Sequence, residues 1–550
     1  MSIEKKTYSY HHFLFPFRWD LLRKGFKKNE KKEERYTFDE RTELQKAAGI
    51  IKLTPAWQQK KISGISHHEQ YNELTYFHEF VRRAIYDFEK DYSDPVMNYF
   101  EYDTATLSNT EFNISFFEKN VGLPDDADIK NKANYITKTI TLQIQGITLH
   151  LYNTGIGVLS YNLANNKPEQ NSPDTILLIN ELGRRIYPQF LGENNTWDTK
   201  RIFLADKIKA GGWEEDFSSY DTLDNLSFQK TFLPPAYISN LFSSQVVFNL
   251  DEDELNENKL LFTRVMDDRM FFLCWYGNNE FANNTGKCYQ CDPWWYSYIF
   301  GDKTAGGSIA NDAMMKKQLS DHTYDRWSRY GTLYGMSRDS FVCLSADAET
   351  LKKLGLPLLD VHMNTIYYQV AVLALVQRAS VVKFSAEVAG LADMAKAQSD
   401  NNTLNRIKDI YMNYIEFINK IYFREITSQI QGIEIYNQFH KVMRIADDVK
   451  DLDGEMQELH NYAEMVKQYQ MANESRDQTI QANRLTKIAT YLLPFTVVFG
   501  ILGANVFSDK LSWVPFSGWD ARAFWGILTG VVISLAIIVV LYFLVIKKRK

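Results

Sequence analysis

IATYLLPFTVVFGILGANVF (Ile488–Phe507) and FWGILTGVVISLAIIVVLYFLVI (Phe524–Ile546) decide the class of this 550-residue chain. A helix rises 1.5 Å per residue, so about 20 apolar residues cross the roughly 30 Å hydrocarbon layer of a bilayer. Both stretches are long enough, and the sequence therefore predicts two membrane helices, at 488–507 and 524–546. Arg484 and Lys487 precede the first and Lys547, Lys548, Arg549 and Lys550 follow the second. The excess of positive charge on the cytoplasmic side places both ends of the chain in the cytoplasm and the short loop 508–523 outside, with 547–550 as a basic tail. The polar start, Met1 to Tyr10, lacks the apolar core of a signal peptide. The expected location is the plasma (inner) membrane of a bacterium.

Upstream of the membrane, Thr365 to Lys487 contains no proline and repeats apolar residues at helical spacing, as in Leu404, Ile407, Tyr411, Tyr414, Ile415 and Ile418. Residues 366–487 are thus expected to be a long helical stalk, broken by the polar run Gln398 to Thr403 and again near Gly432. Residues 1–365 read differently. β-rich runs at Thr139 to Tyr152, Val158 to Leu163, Thr175 to Ile179 and Arg269 to Tyr276 lie among Gly, Asn, Asp and Pro turns, with helical patches at Tyr71 to Glu89 and Lys200 to Lys209. The predicted fold is an α+β cytosolic domain, then stalk helices, then two membrane spans. A hydrophobic fraction of 45% fills a large core, and a formal charge of −6 over this length argues against a nucleic-acid surface. Four cysteines fit a reducing compartment.

No hydrolase, kinase or phosphate-loop signature occurs, so the chain does not read as an enzyme. Gly155-x-Gly157 joins two strand-like runs and reads as a tight turn. Cys288-Tyr-Gln-Cys291 has the spacing of half a zinc site, but a second pair is missing unless Cys274, Cys343 or His322 closes it, and zinc is disfavoured. His67, His68 and His78 beside Glu69 and Glu79 read as surface or packing residues. The acidic stretch with Asp447, Asp448 and Asp451 reads first as a solvated helix face, and it also supplies hard oxygen ligands for a divalent cation. In Asn180-Glu181-Leu-Gly-Arg184-Arg185, which follows the Thr175 to Ile179 run, adjacent guanidinium groups suit an anionic ligand, with Tyr187 to stack on it. Arg264 and Arg269 form a second polar cluster of the same kind. Salt bridges to nearby carboxylates are the competing reading.

In the first span, Ala482, Leu485, Ala489, Leu493, Thr496, Gly500 and Gly503 fall on one face, small or weakly polar, which close helix packing also explains. Two spans per chain cannot enclose a wide aqueous path, so a pore needs several copies. Leu485-Thr486-x-Ile488-Ala489-Thr490, Pro494, Thr496, Gly500-Ile501, Gly503 and Asn505, with the short loop, second span and basic tail, resemble CorA-type magnesium transporters. The resemblance implies a homopentameric funnel in the bilayer, a pore lined by Leu485, Leu493, Thr496, Gly500, Gly503 and Asn505, gating by dewetting at the two leucines, magnesium as the permeant or regulatory ion, and cation sensing by Asp447, Asp448 and Asp451. The family's Gly-Met-Asn signature reads Gly503-Ala504-Asn505 here, which removes packing around the asparagine ring and weakens magnesium selectivity. Asp509 and Asp520 are balanced by Lys510 and Arg522, so the loop is no acidic funnel. The segment His11 to Trp19 and the Asn180 to Arg185 run further resemble the enlarged CorA-like proteins associated with type III CRISPR systems. That resemblance implies an antiviral channel opened by a small anionic nucleotide second messenger, such as an S-adenosylmethionine–AMP conjugate.

Overall fold

The computed structural model describes residues 6–22, 40–89, 95–119, 135–186, 205–217, 233–248, 259–266, 269–355, 359–397, 401–503 and 521–541. They form two compact units, Met1–His460 and Asn461–Lys550.

The first unit is organised by two long strands, β1 (Ser9–Leu22) and β5 (Tyr135–Tyr152). Each is long enough to change neighbours along its length. β1 pairs along Ser9–Arg18 with β6 (Ile156–Asn165), while its other edge takes β11 (Phe271–Gly277) first and β10 (Lys259–Arg264) further on. β5 turns into β6 through Gly155, whose φ of +77° is a left-handed conformation that glycine adopts without strain. Its other edge takes β4 (Glu111–Lys119) and then β3 (Met97–Tyr102). β2 (Trp57–Gln59), β7 (Lys207–Ala210), β8 (Trp213–Asp216), β9 (Val246–Val247), β12 (Thr323–Tyr324), β13 (Leu333–Met336) and β14 (Ser340–Ser345) complete a 14-stranded sheet.

Side chains alternate between the two faces of such a sheet. One face carries Phe13, Phe15 and Phe17 of β1, Leu159 and Tyr161 of β6 and Ile147, Leu149 and Leu151 of β5, all in the main core. Gly157 belongs to this face because the Phe17 ring lies over it, where a Cβ would come within 2.4 Å of the ring. Helices Pro173–Arg184 and Pro293–Phe300 cover it. The other face carries polar groups, His12, Ser160, Asn162, Thr148 and His150. The helix Ile366–Ala397 packs on that side, against β1 and β6.

Several expectations change here. Thr175 to Ile179 is helical, because Ser172 accepts a hydrogen bond from Thr175 N and Pro173 opens the first turn. Of the patch Lys200 to Lys209, the described part includes the start of β7 rather than a helix. Helices Asn401–Lys420 and Ile430–Met443 follow Ile366–Ala397, so Gly432 lies inside a helix. The interruption expected near it falls just upstream, over 421–429, and a further one follows at Arg444, at φ 56°, whereas residues 398–400 of the expected polar break lie outside the described residues. Helix Ile445–Gly503 then continues across the boundary between the units.

Among the described residues, one helical stretch is long and apolar enough to cross a membrane, Leu359–Leu391, which runs from the short helix Leu359–Asn364 into Ile366–Ala397, and 78% of its apolar window is buried. It lies in the interior. In the second unit the described part of the first sequence-predicted span is the end of Ile445–Gly503, and that of the second is Ala521–Leu541, with an apolar stretch at Leu528–Ile537. Leu485 (67% exposed), Leu493 (58%) and Val532 (57%) are open to the surroundings.

Candidate ligand cleft and the predicted sites

The polar face of the sheet opens at one end into a cleft of about 600 Å³. Its wall is made by β1, β2, β3, β5 and β6 together with Asn364, the last residue of a short helix, Leu359–Asn364. His12 sits at its base, nearly buried. Its Nε2 lies 2.6 Å from Asn364 Oδ1 and its Nδ1 2.8 Å from Asn162 Oδ1. Asn162 Oδ1 also accepts from Ser160 Oγ at 2.7 Å, and Asn364 Nδ2 donates to Asp360 O at 3.0 Å, which orients both amides. Burial pushes the His12 pKa down, and the two asparagine contacts oppose that shift only in part. A neutral imidazole has one N–H, so it satisfies one of the two amide oxygens.

Behind the cleft, His150 is fully buried with neither ring nitrogen hydrogen-bonded. It is enclosed by the rings of Tyr99, Tyr152 and Tyr368, and burial lowers its pKa to about 3. Further along the same face, Thr148 Oγ1 meets Tyr368 Oη at 3.1 Å and Lys383 Nζ donates to Thr154 O at 2.6 Å. Arg18 of β1 reaches Glu387 at 3.1 Å. The interface between the sheet and Ile366–Ala397 is therefore held by directional bonds as well as by apolar contact.

The arginines singled out from sequence lie elsewhere, at the end of helix Pro173–Arg184. Three of them are brought close together: Arg184 and Arg185 are consecutive, and Arg185 forms a β-bridge with Arg269. Both guanidinium groups of the pair are engaged inside the chain. Arg184 Nη2 donates to Glu181 Oε2 at 2.9 Å and to Gly301 O at 3.0 Å, and Arg185 Nε donates to Glu181 Oε1 at 2.7 Å. Arg184 is 1% exposed and Arg185 4%. Burial pushes the Glu181 carboxyl up, but the two arginines together outweigh it and hold it below the usual range. The exposed anion grip expected from sequence thus takes the form of an internal ion triad. Arg269 approaches Asp339 at 3.8 Å, Arg264 is exposed at the end of β10, and Tyr187 lies outside the described residues.

Asp447 and Asp451 are exposed on the side of their helix away from the buried seam Ile445, Val449, Leu452 and Met456, and Asp448 is half-buried beside that seam. Arg444 lies 3.9 Å from Asp447 and 4.0 Å from Asp448. Cys288 and Cys291 are exposed, whereas Cys274 and Cys343 are buried in the sheet, Cys274 Sγ against His11 Nδ1 at 3.4 Å. The exposed pair and the buried pair thus lie in different surroundings, and His322, the remaining candidate, has its Nδ1 2.9 Å from Gln318 O. His67 accepts from Gln70 N as a helix cap, and His78 meets Glu425 at 3.0 Å. Among the described residues no group of three or more His, Cys, Asp or Glu side chains is arranged to hold a metal. Of the expected pore residues, Leu485, Leu493 and Thr496 are exposed on the last helix of the second unit, which also carries Gly500 and Gly503. Asn505 lies outside the described residues.

No curated protein matches the chain. Among solved structures, the complete CorA magnesium transporter of Methanocaldococcus jannaschii is similar at 13% identity and a TM-score of 0.20, covering 50% of this chain and 91% of the transporter. Residues 364–549, beginning at the asparagine that bonds His12 and ending in the basic tail, match the family model described as CorA-like Mg2+ transporter protein.

Proposed function

We propose that this protein is a CorA-like membrane channel whose ion passage is controlled by a small nucleotide ligand bound to its N-terminal domain. The observation that carries the reading is the join between that domain and the family-matched segment. The match begins at residue 364 and leaves the sheet outside it. Across that boundary run His12–Asn364, Thr148–Tyr368, Thr154–Lys383 and Arg18–Glu387. A ligand that alters the polar face has a direct path to helix Ile366–Ala397 and, along the chain, to the helices that follow. Control requires only that the ligand bind one arrangement of this interface more tightly than another.

In this account the channel is a homo-oligomer, a pentamer by the resemblance, in the bacterial inner membrane. Both termini face the cytoplasm, Leu485 and Leu493 form the constriction, and Thr496, Gly500, Gly503 and Asn505 line the path. Asp447, Asp448 and Asp451 would bind a cation only where neighbouring copies bring them together. The antiviral setting rests on the resemblance of His11 to Trp19 and of Asn180 to Arg185 to the CRISPR-associated relatives. Arg184 and Arg185 can reach a ligand only if their bonds to Glu181 open, whereas the cleft beside His12 is already open.

The second reading, a divergent divalent-cation transporter, is favoured by the description of the matching family itself. Growth rescue of a magnesium-starved strain separates the two. Ligand-dependent ion flux without rescue supports the signal-gated channel, and rescue without any nucleotide effect supports the transporter.

A further inference from the structure

We infer that the cleft beside His12 holds the nucleoside part of the ligand, with the heterocyclic base over tyrosine rings and its edge read by amides, and that it is no phosphate site. The volume of about 600 Å³ falls within the range of small-molecule pockets. Tyr10, Tyr99 and Tyr102 line it; each already has one ring neighbour inside the chain, Trp275, His150 and Trp57 respectively, so a base stacks only on the part of each ring that lines the cleft. Around them, Gln145 carries a donor and an acceptor, the combination that pairs with the edge of adenine, and Asn162 offers its Nδ2, whereas Asn364 already gives its oxygen to His12 and its Nδ2 to Asp360 O and is reached only by exchange. Gln145 is exposed and has no hydrogen-bond partner among the described residues, so its amide is available to a ligand.

The charge of the lining decides against a polyanion. Lys60 stands against Glu101 and Asp103, and its Nζ is already bonded to Gln58 Oε1 at 3.0 Å. Carboxylates repel phosphate and accept hydrogen bonds from ribose hydroxyls, as the acidic residue of dinucleotide folds does. Any phosphate of the ligand must therefore point out of the cleft. Asn162 belongs to the sheet and Asn364 to the family-matched segment, and His12 has one proton for the two. A base that takes up one of these amides changes how His12 serves the other, which ties occupancy to the join described above. The choice of a nucleoside and that last consequence both rest on the proposed function, and reading binding and flux separately distinguishes failure of the site from failure of that function.

Gly146 provides the test. A Cβ built there meets only Asn162 Nδ2, at 3.7 Å, so a larger side chain enters the cleft without displacing backbone. Adenosine and inorganic pyrophosphate are titrated by calorimetry against the detergent-solubilised full chain and its Gly146→Leu variant, with thermal unfolding as the control for folding. The expected result is saturable adenosine binding that pyrophosphate does not displace and that weakens by at least about tenfold in Gly146→Leu at unchanged unfolding temperature. Absence of saturable adenosine binding, competition by pyrophosphate, or equal affinity in a folded Gly146→Leu variant overturns the assignment. Gln145→Ala, at an exposed position, gives an independent check and is expected to weaken binding several-fold even where Gly146→Leu fails to fold; unchanged affinity there contradicts the amide-edge reading. Ion flux is read in parallel. Binding lost in the variant with flux indifferent to adenosine supports the site and contradicts ligand control, whereas flux that still answers a nucleotide in Gly146→Leu overturns the site alone.

Discussion

The two faces of the central sheet are built from alternate residues of the same strands, yet they are held in different ways. Phe13, Phe15 and Phe17 enter a continuous aromatic and aliphatic core, whereas His12 between them enters a network of amides, hydroxyls and tyrosines. Apolar burial is non-directional and tolerates small movements, but it strongly opposes exposure. A polar interface is the reverse: each bond has a fixed geometry, and a buried group left without its partner costs about 1–3 kcal/mol, more than the roughly 0.5–1.5 kcal/mol that a made bond contributes. Stability therefore resides on the apolar face. The polar face, which meets the helix that begins the family-matched segment, is where a bound ligand can exchange one set of bonds for another. A buried charge appears on both sides, Glu181 with its arginines near the apolar face and Lys383 on the polar one.

Acidification probes both faces at once and has the largest expected effect. Burial lowers the pKa of His11, on the apolar side, and of His150, on the polar side, to about 3, against 6.5 for the free side chain. The unfolded chain binds more protons than the folded one between these values, so this stabilisation is complete above pH 6.5 and is lost as the pH falls. Each histidine contributes about 1.4 kcal/mol per pH unit, or about 5 kcal/mol for the pair between pH 6.5 and 4.5. Denaturant titrations across that range, read by tryptophan fluorescence, check it, and His150→Leu is expected to remove one histidine's share of the slope.

Glu181→Ala comes next, with an expected loss of about 3–5 kcal/mol, because it leaves two buried guanidinium groups without their carboxylate. A loss below about 1 kcal/mol would mean that the arginines find other partners easily, and would return them to the role of an anion site. On the polar face, Lys383→Met is expected to cost about 1–3 kcal/mol by leaving Thr154 O unpaired, and also to weaken the response of ion flux to ligand. His150→Leu at neutral pH should be the smallest change and opposite in sign. Removing an imidazole with neither nitrogen bonded is expected to raise stability by about 1 kcal/mol. A clear loss instead would indicate that His150 has a partner in solution, such as an ordered water.

Strands β5 and β6 and the turn at Gly155 were legible from alternation and glycine because both signals are local. Helix Pro173–Arg184 was not. Its Thr-Ile-Leu-Leu-Ile run has the residues of a strand, and the helix start encoded by Ser172-Pro173 outweighed them. Once that segment is helical, Glu181 lies three and four residues before Arg184 and Arg185, the spacing of intrahelical ion pairs, and the pairing follows. The cleft was illegible for another reason. Tyr10, His12, Tyr99, Gln145, Asn162 and Asn364 come from five separated segments, and only the strand register, with the packing of helix Leu359–Asn364, brings them together. Apolar length alone also misleads. Leu359–Leu391 is long and apolar because it lies in the interior, while Val531, Val532 and Ile533 of the C-terminal helix are half or more exposed.

The most direct test is cation flux from liposomes containing the full-length protein, with and without AMP or S-adenosylmethionine, for the natural chain and for Lys383→Met. Lys383 touches Thr154 and lies outside the cleft. The account predicts that one of these adenine compounds changes the flux of the natural chain at least about tenfold, and that Lys383→Met still binds it but responds much less. Flux that is the same with and without either compound and follows magnesium alone would contradict it.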